Sequence, residues 1–550
     1  MKTLLLRFVS TSLFSLLFGS LIFAQTDTVM VPYEIDGDYY GAMNKYIAAN
    51  PGHGYYKLEG GQYYMLSGAI EVDFPLRLIA DKPDDLHPPP VVVMADLVDG
   101  DRLLRYFILY EDAQFTNIYF LGAHPNGQLD VNVHIEILKN DGQYLFDGCY
   151  FEWSEWVGVM VMSDNVSVTV KNCIIKNFSN PVSKWNSRFL SFRDNPVDTV
   201  IMTNNTWYNS HCFFLDGRKN IFNYVQFEHN TLVNNLKWPI QWQWATDAKI
   251  SNNIFYNSHC FGEAPVDLPG QDFDGLLFGI VNTDTLLAEH DFPEADRKVD
   301  VHNNCWFYTQ EITDYWDSYS ADKVSADNVI SYEPFMNSRT QAMFDNDVDW
   351  PGLNEFNTRN MDPGFLNVEG TADLVAWMNK ERNYESRTYW GPDPDGNRFS
   401  VTWPIDEDFS YTNATLLTGA ECGFPVGDLN WFSGGELEDW ETNGCDSNTG
   451  IIGPGALAKE FELGQNYPNP FTSTTTISYN LNKAGRVKLT IYNMLGQQIE
   501  MLVNETLQPG FYEVLWNRTE QTGLELPGGI YFYQLEMDHV KETRKMFLLR

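Results

Sequence analysis

Cysteine is scarce, with 7 in 550 residues, so no disulfide framework can carry the fold. Basic side chains are also few: 36 Lys and Arg face 74 Asp and Glu, for a net charge of −38. That balance excludes a nucleic-acid or anionic-lipid partner bound by bulk charge, and it favours divalent cations. Long apolar runs are missing after the first 24 residues, and no later one nears the ~20 residues that cross a bilayer. No membrane span is therefore expected in the mature chain.

Residues 1–24, MKTLLLRFVSTSLFSLLFGSLIFA, have Lys2 and Arg7 ahead of an apolar stretch that ends in small residues and Ala24. This is the pattern of a secretory signal peptide, with cleavage expected before Gln25. All of the net acidity lies in residues 25–459, where 26 Lys and Arg meet 64 Asp and Glu. Aromatics are abundant at 15%.

The hexapeptide YNSHCF occurs twice, at 208–213 and 256–261. Two His-Cys pairs raise the possibility of a metal site. They also suit two turns of one repeating architecture. Segments FTNIYF, FDGCYF, VKNCII, TNNTWY, EHNTLV, SNNIFY and HNNCWF align on Asn117, Gly148, Asn172, Asn205, Asn230, Asn253 and Asn304, and the shortest spacings are 23 to 25 residues. Alternation precedes each pivot, as in Val166–Val170, and a short apolar run follows it. Strand, asparagine corner and strand at this period predict a parallel β-helix, because asparagine tolerates the left-handed conformation and its amide bonds neighbouring backbone. Asn172, Asn205, Asn230 and Asn253 are expected to stack in one line on adjacent coils. A second set, 156–165, 188–195, 212–220 and 239–247, gives each coil a further strand, three in all. Two coils separate His211-Cys212 from His259-Cys260, at ~9.6 Å for backbone stacked at ~4.8 Å. Zinc bonds of ~2.0–2.3 Å need ligands that converge, so coil equivalence explains the hexapeptide better than zinc.

These features resemble right-handed parallel β-helices of the pectate-lyase type, over roughly 50–310. The region 25–310 is thus expected to be a β-helix with an N-terminal capping helix near IDGDYYGAMNKYIAAN. Residues 311–449 are less regular and look like tail segments that lie along such helices. In an exported chain, Cys422 and Cys445 are candidates for a disulfide. Residues 450–460 are a Gly/Ala/Pro linker.

Beyond the linker the charge is nearly neutral and strands alternate with Gly and Pro turns, which predicts a small antiparallel sandwich over 461–550. Asn466–Phe471, Ile491–Gly496, Gly529–Tyr533 and Lys545–Arg550 closely resemble the blocks of the type A C-terminal sorting domain of type IX secretion substrates in the Bacteroidetes group. The resemblance implies handling by the type IX machinery, and delivery to the outer surface or beyond. The expected fold is all-β throughout: a right-handed parallel β-helix followed by a small antiparallel β-sandwich sorting domain.

In β-helices of this family the functional cleft runs along one exposed ladder. Alternation on the second set of strands turns outward Ser191 and Arg193, Asp216 and Arg218, and Gln241 and Gln243, with Lys184, Arg188 and Lys219 nearby. This is the densest basic group in an acidic body, and Trp185, Trp207, Trp238, Trp242 and Trp244 fall in the same coils. Flat aromatics beside polar groups suit sugar faces. If the chain is a polysaccharide lyase, Arg193, Asp216 and Arg218 are the catalytic candidates, with Lys184, Gln241, Gln243 and Trp242 binding the polymer. An Arg or Lys would take the proton beside a uronate carboxylate, and calcium on Asp residues, or another Arg, would neutralise that carboxylate. The ligands of such a metal are not legible. The alternatives are a surface ion-pair ladder with no ligand, and a non-catalytic adhesin or structural protein.

Overall fold

The computed structural model describes residues 27–95, 105–125, 129, 133–180, 183, 185–193, 195–264, 278–330, 335–383, 398–445, 461–463, 466, 471–481, 485–493, 498–508, 510–517, 526–537 and 540–548. Two compact units divide the chain, Met1–Gly444 and Cys445–Arg550.

The first unit is a parallel β-helix with three strand ladders. One ladder stacks Tyr55–Lys57, Leu76–Ile79, Ala113–Thr116, Gln143–Asp147, Val166–Lys171, Val197–Thr203, the later halves of Leu215–Glu228 and Ile240–Ser251, then Lys298–His302 and Leu353–Phe356. After the corner comes a second ladder, from Tyr63–Leu66 through Thr206–Ser210, Thr231–Asn235 and Ile254–Ser258 to Arg359–Asn360. The third runs from Ile70–Val72 through Val133–Ile137, Val157–Val161 and Arg188–Phe192 to the opening residues of Leu215–Glu228 and Ile240–Ser251. Each coil buries its alternate residues, so valines and phenylalanines repeat in register down the axis. Phe115 stacks on Phe146 at 5.4 Å, and Phe120 on Phe151 at 4.8 Å. The helix Ala42–Ala49 buries Ala42, Met43 and Ile47 beside the first coils.

The corner between the first two ladders has two distinct positions. Asn117, Gly148, Asn172, Asn204, His229, Asn252, Asn303 and Asn357 all take positive φ, between 53° and 64°. The next residue points inward, and there the asparagine ladder forms. Asn205 Nδ2 donates to Asn230 Oδ1 at 2.9 Å, Asn230 to Asn253 at 3.0 Å, and Asn253 to Asn304 at 2.9 Å. Asn172 does not belong to that line. It is equivalent to Asn204, and Cys173 fills the ladder level, its N–H bonding Asn205 Oδ1 at 3.0 Å. The Asn-Asn doublets conceal this offset, because either member satisfies a one-residue alignment. Cys149 stacks with Cys173, whereas Cys305 lies one step further on, level with Ile254.

The repeated hexapeptide is coil equivalence. Tyr208 pairs Val233 and Val233 pairs Tyr256, and Ser210, Asn235 and Ser258 align likewise. Asn209, Asn234 and Asn257 form a second left-handed corner with its own ladder of amides. Cys149, Cys173, Cys212, Cys260 and Cys305 are buried thiols, and Cys422 and Cys445 are disulfide-bonded.

A C-terminal tail covers the apolar outer face of the second ladder. Phe399 tilts over Tyr63, Trp403 meets Tyr150 edge-on, Phe409 packs on Tyr208, and Tyr411, Leu416 and Val426 cluster with Ile254 and Cys305. Helices Gln310–Ser320 and Thr371–Arg382 close the same side over Leu236, Cys260 and Phe261.

The second unit has a three-stranded antiparallel sheet, Phe461–Leu463, Thr474–Leu481 and Gly510–Asn517. A four-stranded sheet holds Gln498–Leu507, Gly485–Asn493, Gly529–Met537 and Val540–Leu548. Their core gathers Ile477, Leu489, Ile491, Trp516, Tyr533 and Met546.

Candidate functional site

The third ladder brings Ser191, Asp216 and Gln241 to one level on successive coils. Asp216 is sealed, at 0% exposure. Ser191 Oγ donates to its Oδ2 at 2.7 Å, and Arg188 Nε lies 3.1 Å from the same oxygen. The expected open, ligand-facing Asp216 is thus corrected: it is the anchor of a buried ion pair. Such a donor set suits a guanidinium rather than the oxygen cage calcium needs.

Bulges interrupt this ladder. Register shifts fall between Asp216 and Arg218 and between Arg218 and Ile221, so strict alternation fails there. Trp242, expected to bind the polymer, is 2% exposed and packs in the main core, with Phe222 at 6.3 Å, the inward place that alternation gives a residue between Gln241 and Gln243. Gln243 is buried as well, its carbonyl accepting from Asp284 N and Thr283 Oγ1. Gln241 is half-buried. The backbone of Arg218 pairs with Trp242, and its side chain, with that of Lys219, lies outside the described residues, as does Lys184.

Arg193 is elsewhere. It sits one residue past its strand, at the outer rim of the ladder, half-buried, with its guanidinium carbon 5.1 Å above the ring of half-buried Trp156. Backbone bonds continue that rim from coil to coil through Tyr110, Leu138 and Met162 to Arg193. Tyr110 is 43% exposed and Met162 44%. Trp156 and this rim were missed because sequence reasoning sought charge inside the strands. Part of the signal was present in Tyr110, Leu138 and Met162, the apolar residues that follow three successive strands of the ladder.

Further polar groups are enclosed in the body. Lys249 bridges Glu228 at 2.9 Å and Glu421 at 2.8 Å, and Glu421 also meets His302 at 3.2 Å. Burial alone would raise the Glu228 carboxyl, but Lys249 beside it holds it down to about 2. Asp428, in the tail, accepts from Thr206 Oγ1 at 2.7 Å and from Asn430, and burial pushes its carboxyl up to about 7. Among the described residues, no group of three or more His, Cys, Asp or Glu comes together to hold a metal ion.

The second unit answers a different question. The family of secretion system C-terminal sorting domains matches residues 465–548. Its span covers the two antiparallel sheets apart from the strand Phe461–Leu463. The chain ends in a type IX sorting domain. With that domain the protein is one that the type IX machinery handles and that is secreted or attached at the outer surface. Among solved structures, dimeric latent PorU from Porphyromonas gingivalis is similar at 18% identity, over 16% of this chain and 9% of that one. Its TM-score of 0.15 is too low to carry an argument. No curated protein matches the chain. Among the described residues, no helix is long and apolar enough to cross a membrane.

Proposed function

We propose that this exported β-helix binds polysaccharide along the rim of its third ladder, without cleaving it. The observation that supports this is the position of Arg193, its guanidinium over the ring of Trp156, in line with Tyr110, Leu138 and Met162 on successive coils. A half-exposed rim of apolar side chains that ends in a cation held over an aromatic ring, running down a solenoid, offers stacking surface to successive sugars. Binding is favoured over lyase chemistry because Asp216 is enclosed by Ser191 and Arg188 and has no solvent-facing surface.

The test is retention on a panel of immobilised acidic and neutral glycans, with calcium present. Wild-type protein should be retained by at least one glycan. Trp156→Ala and Arg193→Ala should each lose at least about tenfold in affinity, the loss of ~1.4 kcal/mol or more typical of an aromatic contact. Ultraviolet-absorbing unsaturated products from the wild-type protein would convert the proposal to a lyase. A wild-type protein that neither binds nor cleaves any member of the panel would leave the adhesin or structural reading.

A further inference from the structure

We propose that Lys237 and Glu263 condense into an amide cross-link between neighbouring coils. Lys237 follows the strand Thr231–Asn235, and Glu263 follows Ile254–Ser258, its partner on the next coil. Lys237 Nζ lies 2.7 Å from Glu263 Oε1, and both side chains are enclosed, at 0% and 1% exposure.

Their surroundings are aromatic. Nζ lies 4.3 Å from the ring centre of Trp185, 5.1 Å from Phe261 and 5.8 Å from Trp238. Trp238 is itself stacked on Phe278 at 3.8 Å. An ion pair in such a box has lost its hydration, so converting it to neutral products removes a standing desolvation cost. The amine and the carboxyl are held together without diffusion, the situation in which effective molarities reach about 10⁵–10⁸ M. A third group stands at the other carboxyl oxygen: Oε2 is 4.0 Å from His259 Nε2 and makes no hydrogen bond among the described residues. Burial holds the His259 imidazole down to about 4, so it rests neutral, and a proton it takes up is readily passed on.

The steps balance without an outside reagent. A proton crosses the 2.7 Å contact from the ammonium to the carboxylate, leaving a free amine and a carboxylic acid. The nitrogen lone pair attacks Cδ of Glu263 and forms the C–N bond. His259 takes the second amine proton and returns it to the departing hydroxyl. The C–O bond breaks, and one water leaves.

Peptide mapping of the full-length protein tests this, because the only Lys or Arg between 220 and 297 are Lys237, Lys249 and Arg297. A cross-linked chain gives peptide 220–249, uncut at Lys237, joined to 250–297 and lighter than their sum by one water. Recovery of linear 220–237, 238–249 and 250–297 in full, from fresh protein and after prolonged incubation, overturns the proposal. A Lys237→Met variant that still lost a water from 250–297 would also overturn it. His259→Gln, checked for native circular dichroism, should slow formation by about a hundredfold or more. An unchanged rate would remove His259 from the mechanism. Should either variant fail to fold, the wild-type map still decides.

Discussion

Asn230 Nδ2 donates to Asn253 Oδ1 at 3.0 Å, and the same oxygen takes the backbone N–H of Asn230 at 2.9 Å. One amide therefore satisfies buried groups on two coils. Asn230→Ala should destabilise the body by about 1–3 kcal/mol, because partners above and below are left unsatisfied. Asn172→Gly should cost less than Asn230→Ala, about 1 kcal/mol, since it keeps the left-handed corner and loses a part-buried bond to Asp147 and exposed contacts. Urea denaturation of the two variants measures the difference, and equal losses would contradict the assignment of ladder and corner.

Asp216 and Arg193 should part company in the same assay. Asp216→Ala leaves the buried Arg188 guanidinium without its carboxylate, which costs about 3–5 kcal/mol. Arg193→Ala, at the rim, should cost under about 1 kcal/mol while acting on glycan retention.

Stability should depend on pH with opposite signs at two places. Glu228 is held down to about 2, below its ordinary value. Its contribution is fully present above the unfolded carboxylate range and is lost as pH falls towards 2. Buried His134, held down to about 3, adds to that acid sensitivity, because the unfolded chain takes up a proton below about 6.5 and the folded one does not. Asp428 runs the other way. Its carboxyl is raised to about 7, so it favours the fold at low pH and loses that contribution as pH rises through 7. Asp428→Asn should therefore raise the melting temperature at pH 8 and change it less at pH 5. A variant less stable than wild type at pH 8 would refute this reading.

Removing residues 461–550 should leave the body folded and confined to the periplasm of its host, as cell fractionation would show. Normal surface delivery of the truncated chain would refute the sorting role of the two antiparallel sheets.

The repeat period, the three ladders and the antiparallel second unit were all legible, because each rests on a local pattern repeated many times. Val166–Val170 alternates cleanly and is a strand with alternate residues buried. The site was less legible. Alternation does not show that Asp216 is sealed, because its partners Ser191 and Arg188 lie on the strand of the preceding coil, Arg188–Phe192, and only the register between coils brings them together. Trp242 turned inward because it lies between Gln241 and Gln243, where alternation itself faces it to the core, and its assignment to a ligand went against that pattern. Asn172 was misplaced by one residue because left-handed corner and ladder positions are adjacent and accept the same side chain.

A stack of coils is held by nearest neighbours alone, so its ends can unwind independently of its middle. The tail over the second ladder changes that. It touches the chain's first coils at Tyr63 through Phe399 and its middle at Tyr208 through Phe409. It then reaches Thr206 and Thr231 through Asp428 and the late coils through the cluster on Ile254 and Cys305. Coils far apart in the stack thereby share one clasp. Opening either end requires lifting a segment that also grips the other, and a structure built as independent layers unfolds as one body.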